Sequence, residues 1–516
     1  MANRLDFGSV NLRAGEDAGL AQPTSETPFC VAILGDFTGR SSRGLCEPAT
    51  ISQRRAFVVD RDNFDEVLSR LQVELHLATE SKSALVFRFS ELEDFHPDHL
   101  IEHEAFQQLK GLRDQLADPA TFAQVAEKFG LIREPADNSV KAEGNRRVSP
   151  PEPVRLASGS LLDNLVDQTE ARMALEPPRS TDEVREFARQ LAAKHAVSAP
   201  DRRQPEIVAA VDRAIGDAMR GILHHPSFQA LEAIWRATFF LVRQLETGSN
   251  LSISLIDLSK EELAKDLGSA QNPRESSLYR LLVERTVGTA GANPWSVIVG
   301  NFRFGTSSDD MEQLAGLAKI AGRAGAPFVA QADSMLVGSS SLSSEPHPRD
   351  WDSTSLRDAW KTLRSQPDAA WVGLALPRFL LRLPYGSQTS PLESVDFEEF
   401  AGAPSHPGYL WGNPAVAIAM LLGRSFTAEG WNMRPGSASQ IENLPLHIYR
   451  ESGDTQVKPC AEVLLTDEAV EHILDQGLIP LISFKGRDSV RVGRFQSLAE
   501  PQQTLRGRWH GRNSRT

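Results

Sequence analysis

An α/β fold, with mixed sheets flanked by helices, is predicted by three observations. Short apolar runs of strand length end at glycines or polar turns. Between them lie longer segments whose apolar residues recur every three to four positions. The two kinds of segment alternate along most of the chain. With 516 residues, 41% of them hydrophobic and 24% charged, the chain has material for two or three domains and a sizeable core.

Residues 1–28 are polar and read as an N-terminal arm. Leu5, Phe7 and Leu12 have enough β character for one short strand that a free terminus can lend to a neighbouring sheet. A disordered arm is the alternative. Residues 29–133 then read as a small α/β unit. Phe29–Leu34 is an apolar run stopped by Gly35, and Ala56–Val59 is a second strand. Asp62 is placed to cap a helix in which Phe64, Val67, Leu68 and Leu71 fall on one face. Leu85–Phe89 is a third strand. Leu100, Ile101, Leu109, Leu112 and Leu116 form one helical face, Pro119 breaks it, and Phe122, Val125, Ala126 and Phe129 begin another helix.

Residues 134–158 form a linker whose prolines, charges and glycine bury almost nothing. Residues 159–180 hold an isolated amphipathic helix. Ser160 and Asp163 have capping-box spacing, and Leu161, Leu162, Leu165 and Val166 form its stripe. Residues 181–499 read as a larger α/β domain. Ile207, Val211, Ile215, Met219 and Ile222 keep helical spacing up to Pro226, and Phe228, Leu231, Trp235, Phe239 and Val242 continue in a second helix. Leu251–Ile256, Trp295–Val299, Pro327–Ala330 and Trp371–Ala375 read as strands, largely in one parallel sheet. Leu478–Phe484 and Val490–Phe495 are strand-like, with pairing to the chain's own sheet and pairing to a neighbour both open. Ser259 and Glu262 form another capping box. Residues 500–516 are a basic tail, for which solvation and docking on an acidic neighbour both remain open.

The formal net charge of −13 argues against a nucleic-acid partner. Three scattered cysteines, Cys30, Cys46 and Cys460, argue for a reducing compartment. The first residues lack the apolar core of a signal peptide, and no apolar stretch is long enough to enter a bilayer, so a cytoplasmic protein is expected.

Candidate chemistry is weak. No P-loop or nucleophile elbow occurs, and Gly35–Gly39 reads as a structural turn. His225 near Asp217 reads as a capping or packing residue rather than part of a triad. His96, His99 and His103 would share a helical face near Asp94 and Asp98, which is metal-ligand spacing, but helix entry and exposure explain them better. Glu398 and Glu399 are expected on a charged surface face rather than as an acid/base pair. No catalytic residue, metal or cofactor is expected.

Several runs carry a resemblance. Ile33–Arg40 contains Asp36, Val59–Val67 contains Asp62 and Phe64, and Leu92–Asp98 contains Asp94, Phe95 and Pro97. These resemble the small subunit (TssB/VipA) of the type VI secretion contractile sheath. Ile222–Trp235, the run Leu376–Gly386, the run Tyr409–Asn413, Gly430-Trp431 and Leu444–Leu446 resemble the large subunit (TssC/VipB). The motif positions there are Pro377, Arg378, Arg382, Pro384, Tyr385, Gly386, Trp411, Gly412 and Asn413. The two parts look fused through the linker at 134–158.

The resemblance implies a bacterial structural protein with the contractile-sheath, phage-tail-sheath-like fold and terminal arms for strand exchange. It implies a helical homo-oligomer around an inner tube, built on a baseplate and contracting to drive that tube into a target cell. Residues 1–12 and the strands after Gly477 are the candidate exchange arms. In the family, a helix at the start of the large subunit is bound by an AAA+ disaggregase; Leu161, Leu162, Leu165 and Val166 match it, with packing on its own domain as the alternative. A non-contractile scaffold or baseplate adaptor on the same fold, and a metal-dependent hydrolase, are the competing readings.

Overall fold

The protein is described by a computed structural model covering residues 22–78, 84–131, 203–287, 289, 291–352 and 357–511. The arm residues Leu5, Phe7 and Leu12, the linker 134–158 and the stripe Leu161, Leu162, Leu165 and Val166 lie outside the described residues.

A nine-stranded mixed sheet organises the fold. Its members are β1 (Phe29–Gly35), β2 (Phe57–Val59), β5 (Leu251–Asp257), β6 (Val297–Phe304), β7 (Phe328–Ala332), β8 (Val372–Leu376), β11 (Gln440–Ile441), β14 (Ile479–Ser483) and β15 (Val490–Val492). Two hairpin strands, β3 (Val73–Ala78) and β4 (Ala84–Phe89), pair only with each other. The sheet order is β11-β15-β14-β8-β7-β6-β1-β5-β2. The six strands from β14 to β5 run parallel, and β2, β15 and β11 add antiparallel edges.

The apolar runs follow from this placement. A parallel strand covered on both faces has no polar side, so it reads as an unbroken hydrophobic run. In β1, Phe29, Val31 and Ile33 enter one core while Cys30, Ala32 and Leu34 enter the other. Trp295 precedes its strand instead of opening it, and β6 runs on to Phe304.

Helices cover both faces. On one lie α6 (Pro226–Gln244) and the almost wholly buried α10 (Pro414–Glu429). On the other lie α7 (Lys260–Ser269), α8 (Ser308–Ala324) and α9 (Arg357–Arg364). The N-terminal helices α1 (Phe64–Leu71), α2 (Pro97–Leu100), α3 (Glu104–Ala117) and α4 (Pro119–Lys128), with α5 (Gln204–Leu223), join the first face. The remaining elements are the short pair β9 (Phe379–Leu380) and β10 (Trp411–Gly412), the hairpin β12 (His447–Glu451) and β13 (Asp454–Lys458), and α11 (Asp467–Asp475).

The two regions read from the sequence as small and large units share this sheet and the cores on both of its faces. β1 lies between β5 and β6, in continuous register with both: Val31 sits between Ile253 and Val297.

Several expectations are corrected. Asp62 is exposed and caps nothing. The Asp60 carboxylate accepts from the Asp62 and Asn63 amides and closes the turn, which leaves Asn63 at the cap position. The face expected from Leu100 to Leu116 is two helices, split at residues 101–103. Pro119 opens a helix because Asp118 caps it. His96, His99 and His103 therefore share no single helical face. The strands after Gly477 pair within the chain's own sheet. The basic tail does not float: Leu505 and Trp509 are buried, and the Arg506 amide donates to Ala370 O.

Among the described residues no helix is long and apolar enough to cross a membrane.

Candidate functional site

Helix α6 gathers the sequence motifs. His225 caps it: the Nδ1 atom accepts from Ser227 N at 3.2 Å, and Pro226 takes the first helical position. Asp217, the other half of the supposed triad, pairs with Arg220 at 2.6 Å. One helical turn after another, α6 then presents Phe228, Glu232, Trp235, Arg236 and Phe239 to segments far away in sequence.

Trp235 receives the first motif. Its Nε1 donates to Phe37 O at 3.0 Å, and its ring meets Phe37 and Phe64 edge-on, with centroids 5.3 and 5.7 Å away. The turn holding Phe37 is tied down by two carboxylates. Asp36 accepts from Arg40 N at 2.6 Å and Ser41 N at 2.8 Å. Asp257, at the end of β5, accepts from Phe37 N, Thr38 N and Thr38 Oγ1. Burial, and then the nearby Asp36 charge, push the Asp257 carboxyl up to about 6 despite those donors and Arg40. Gly39 has φ of +73°, and a Cβ there would sit 2.2 Å from Glu74 O, so only glycine fits.

Beside this turn, buried Glu262 takes Arg40 Nη2 at 2.9 Å and Arg54 Nη2 at 2.6 Å. Ser259 and Glu262 do form the expected capping box. Burial alone would raise the Glu262 carboxyl; Arg54, Arg40 and the Glu47 and Ser259 amides outweigh it and hold it at about 2.

Phe228 receives the second motif. Phe95 stacks on Phe89 at 4.0 Å and meets Phe228 edge-on. Asp94 closes the turn by accepting from Ser90 N at 2.6 Å, Ser90 Oγ and Glu91 N. Pro97 is the first residue of α2, capped by His96, and His103 caps α3 through Nδ1. These two histidines thus spend on backbone amides the lone pair a metal would need. Glu91, Asp94 and His99 do bring ligand atoms within 4.8 Å of one another, but one Asp94 oxygen already holds three donors.

The third motif closes over the other two. Arg382 is buried between Glu232 and Glu399: Nε lies 2.9 Å from Glu232 Oε1 and Nη1 lies 2.8 Å from Glu399 Oε2. Arg236 joins Glu232 at 2.6 Å and donates to Tyr385 Oη at 3.0 Å. The Arg382 guanidinium lies 4.2 Å from the Tyr385 ring centroid, and Tyr385 N donates to Glu399 at 2.7 Å. Two carboxylates thus face two guanidiniums, which is the condition for tolerating buried charge. Burial would raise the Glu399 carboxyl, but Arg382, His224 and the Tyr385 amide hold it at about 2. The surface position expected for Glu399 is therefore wrong: it is 1% exposed. Glu398 alone turns outward, accepting from Ser387, and a Cβ on Gly386 would sit 2.2 Å from its Oε2. Pro384 is buried, and its carbonyl accepts from Thr389 Oγ1.

The N-terminal region reaches this layer too. The His96 ring meets Tyr385 edge-on at 4.8 Å, and Asp98 accepts from Glu393 N, Ser394 N and Ser394 Oγ.

The remaining motif residues form a separate knot. Pro377 follows a cis peptide. Arg378 Nε reaches Glu462 Oε1 at 2.8 Å, and His406 Nε2 reaches the same oxygen at 3.2 Å. Trp411 and Gly412 pair with Leu380 and Phe379, and Asn413 caps α10 by accepting from Ala415 N at 2.9 Å. Burial would raise the Glu462 carboxyl; His406 and Arg378 hold it at about 2.

Glu232 and His224 lie inside the run Ile222–Trp235, and Arg236 lies just past it. Their signal was the helical spacing of Glu232 and Arg236, four residues apart on a helix otherwise apolar on that side. Chemically, a carboxylate held near 2 and engaged by several cations is suited to fastening elements together and poorly suited to accepting a proton at neutral pH.

The comparisons follow the same division. Residues 205–499 match the family model described as "EvpB/VC_A0108, tail sheath N-terminal domain". Residues 9–130 match the model described as "Type VI secretion system, VipA, VC_A0107 or Hcp2". The chain is similar to a "Type VI secretion system sheath protein TssC1" from Pseudomonas aeruginosa, with 33% identity over 304 residues. That match covers 57% of this chain and 61% of the relative's length.

Proposed function

The chain belongs to the type VI secretion sheath family, as a small-subunit-like part fused to a large-subunit-like part, and from that premise we propose that one polypeptide serves as a structural subunit of the contractile sheath. It polymerises into a helical tube around an inner tube, on a baseplate, and contracts to propel that inner tube into a target cell. It works in the bacterial cytoplasm as a structural protein and not as an enzyme.

One observation carries this reading most strongly: β1 of the VipA-like part lies between β5 and β6 of the sheath-domain part. Neither part can complete the sheet alone. The buried network of Arg40 and Arg54 with Glu262 adds rigidity where the two parts meet, as a body that transmits force requires. Contraction itself is a change in how such bodies pack, with the energy stored in a metastable assembled state.

Two finer points belong to the same proposal. Residues 1–12, with Leu5, Phe7 and Leu12, act as the arm lent to a neighbour's sheet edge. The stripe Leu161, Leu162, Leu165 and Val166 is the surface offered to an AAA+ disaggregase.

The test is to express the full chain alone and image it by negative-stain electron microscopy over a range of concentrations. Long hollow tubes are expected. Uniform small rings would instead favour a scaffold or baseplate adaptor.

A further inference from the structure

An open cavity of about 290 Å³ lies at the end of the sheet opposite the motif networks. Its wall is made by Thr24, Glu26 and Thr27, which lead into β1, by Asn293 and Pro294, which precede β6, and by Arg508 from the tail. The frame is held firmly: Thr24 N donates to Thr27 Oγ1 at 2.9 Å, and Trp431 Nε1 donates to Thr27 O at 2.7 Å.

Arg508 is the anomaly. Its Nε and Nη1 are buried and have no hydrogen-bond acceptor among the described residues. Although Glu26 shares the wall, it makes no ion pair with Arg508 among the described residues. Arginine cannot shed its charge, so a half-buried guanidinium without a counter-ion is costly to keep. Nor can the side chain swing away freely, because Leu505 and Trp509 on either side are anchored in the core. An unpaired guanidinium in the wall calls for an oxyanion.

We propose that this cavity is a carboxylate-binding site completed by a second copy of the chain. The inference rests on the sheath reading, which supplies the second copy. A guanidinium matches the planar shape of a carboxylate. With 68 acidic against 55 basic residues, each copy has carboxylates to spare. The tail therefore docks on its own body and presents Arg508 to an acidic side chain of its neighbour.

The test compares wild type, R508K and R508Q in the full chain, with two readouts: the threshold concentration for assembly, and thermal unfolding of the unassembled protein. R508Q should raise the threshold about tenfold or more, the scale of losing one buried charge-assisted contact, with R508K in between. Unassembled R508Q should melt at or above the wild-type temperature, because an uncompensated cation has been removed. Acetate and inorganic phosphate at millimolar levels should leave the unassembled wild type unchanged. R508Q that assembles at the wild-type threshold overturns the proposal. So does R508Q that melts lower, since Arg508 then serves its own chain. Protection of wild type but not R508Q by either anion would assign the cavity to a free anion instead. Wild type that never assembles would overturn the sheath reading and this contact together, a result distinct from assembly that ignores Arg508.

Discussion

Arg382 Nη1 lies 2.8 Å from Glu399 Oε2, with Glu232 on the other side of the same guanidinium; both carboxylates are buried and the Arg382 side chain is 10% exposed. Arg382 is the shared cation of two carboxylates. Arg382→Ala should cost about 3–5 kcal/mol, because it strands buried charge. Glu399→Gln should cost less, since Glu232 still pairs with Arg382. Denaturant unfolding of both variants checks the order.

Acid should weaken the fold through three carboxylates. Glu262, Glu399 and Glu462 are held at about 2, below an unfolded value of about 4.3. Their stabilisation is present above about 4.3 and is lost as the pH falls toward 2, at up to about 3 kcal/mol each. Asp257 has the opposite sign. Its folded value of about 6 exceeds an unfolded value of about 3.9, so its contribution is largest below about 3.9 and is lost as the pH rises through 6. Asp257→Asn should therefore gain on wild type between pH 4 and pH 7. Denaturant titrations across that range measure the difference.

Gly39→Ala and Gly386→Ala should differ in cost. Both would bring a Cβ to 2.2 Å from an oxygen. At Gly39 the oxygen is the Glu74 carbonyl and φ is positive, so neither partner can give, and a cost of about 1–3 kcal/mol is expected. At Gly386 the obstacle is the tip of the Glu398 side chain, which can move, so the cost should be smaller. Thermal melts of the two variants test this.

Removing the Trp235 indole should uncouple the two parts of the chain. Trp235→Ala deletes the packing on Phe37 and Phe64 and the bond to Phe37 O, at about 3–5 kcal/mol. Hydrogen exchange should rise first in β1 and in the turn at residues 36–40, and an unchanged pattern there would contradict the coupling.

Deleting residues 1–12 should abolish tubes and leave the melting temperature of the unassembled chain unchanged. Tubes of normal length from the deleted chain would contradict the arm proposal.

Much of the scaffold could be read locally, because strands buried on both faces announce themselves as apolar runs and capping boxes sit within four residues. The β3 strand escapes a search for unbroken apolar runs because Val73, Leu75 and Leu77 alternate with Glu74 and His76, a period of two. Glu399 was unreadable for a different reason. Nothing beside Glu398-Glu399-Phe400 marks one carboxylate as buried, and its partner Arg382 itself depends on Glu232, 150 positions earlier. Long-range charge pairing leaves no periodic trace. The position of β1 between β5 and β6 was equally hidden, since parallel neighbours need not be neighbours in sequence.

That strand placement is the centre of the account, and a disulfide tests it most directly. Cys30 of β1 is in register with Ser252 of β5. Neighbouring strands are ~4.8 Å apart, within the reach of a disulfide. Ser252→Cys, in a Cys46→Ser background to remove the more accessible thiol, should on oxidation form a bond with Cys30 inside one chain, giving monomers on a non-reducing gel before and after assembly. Disulfide-linked dimers and ladders would show that β1 completes a neighbour's sheet, and would contradict the placement of β1 within its own chain's sheet.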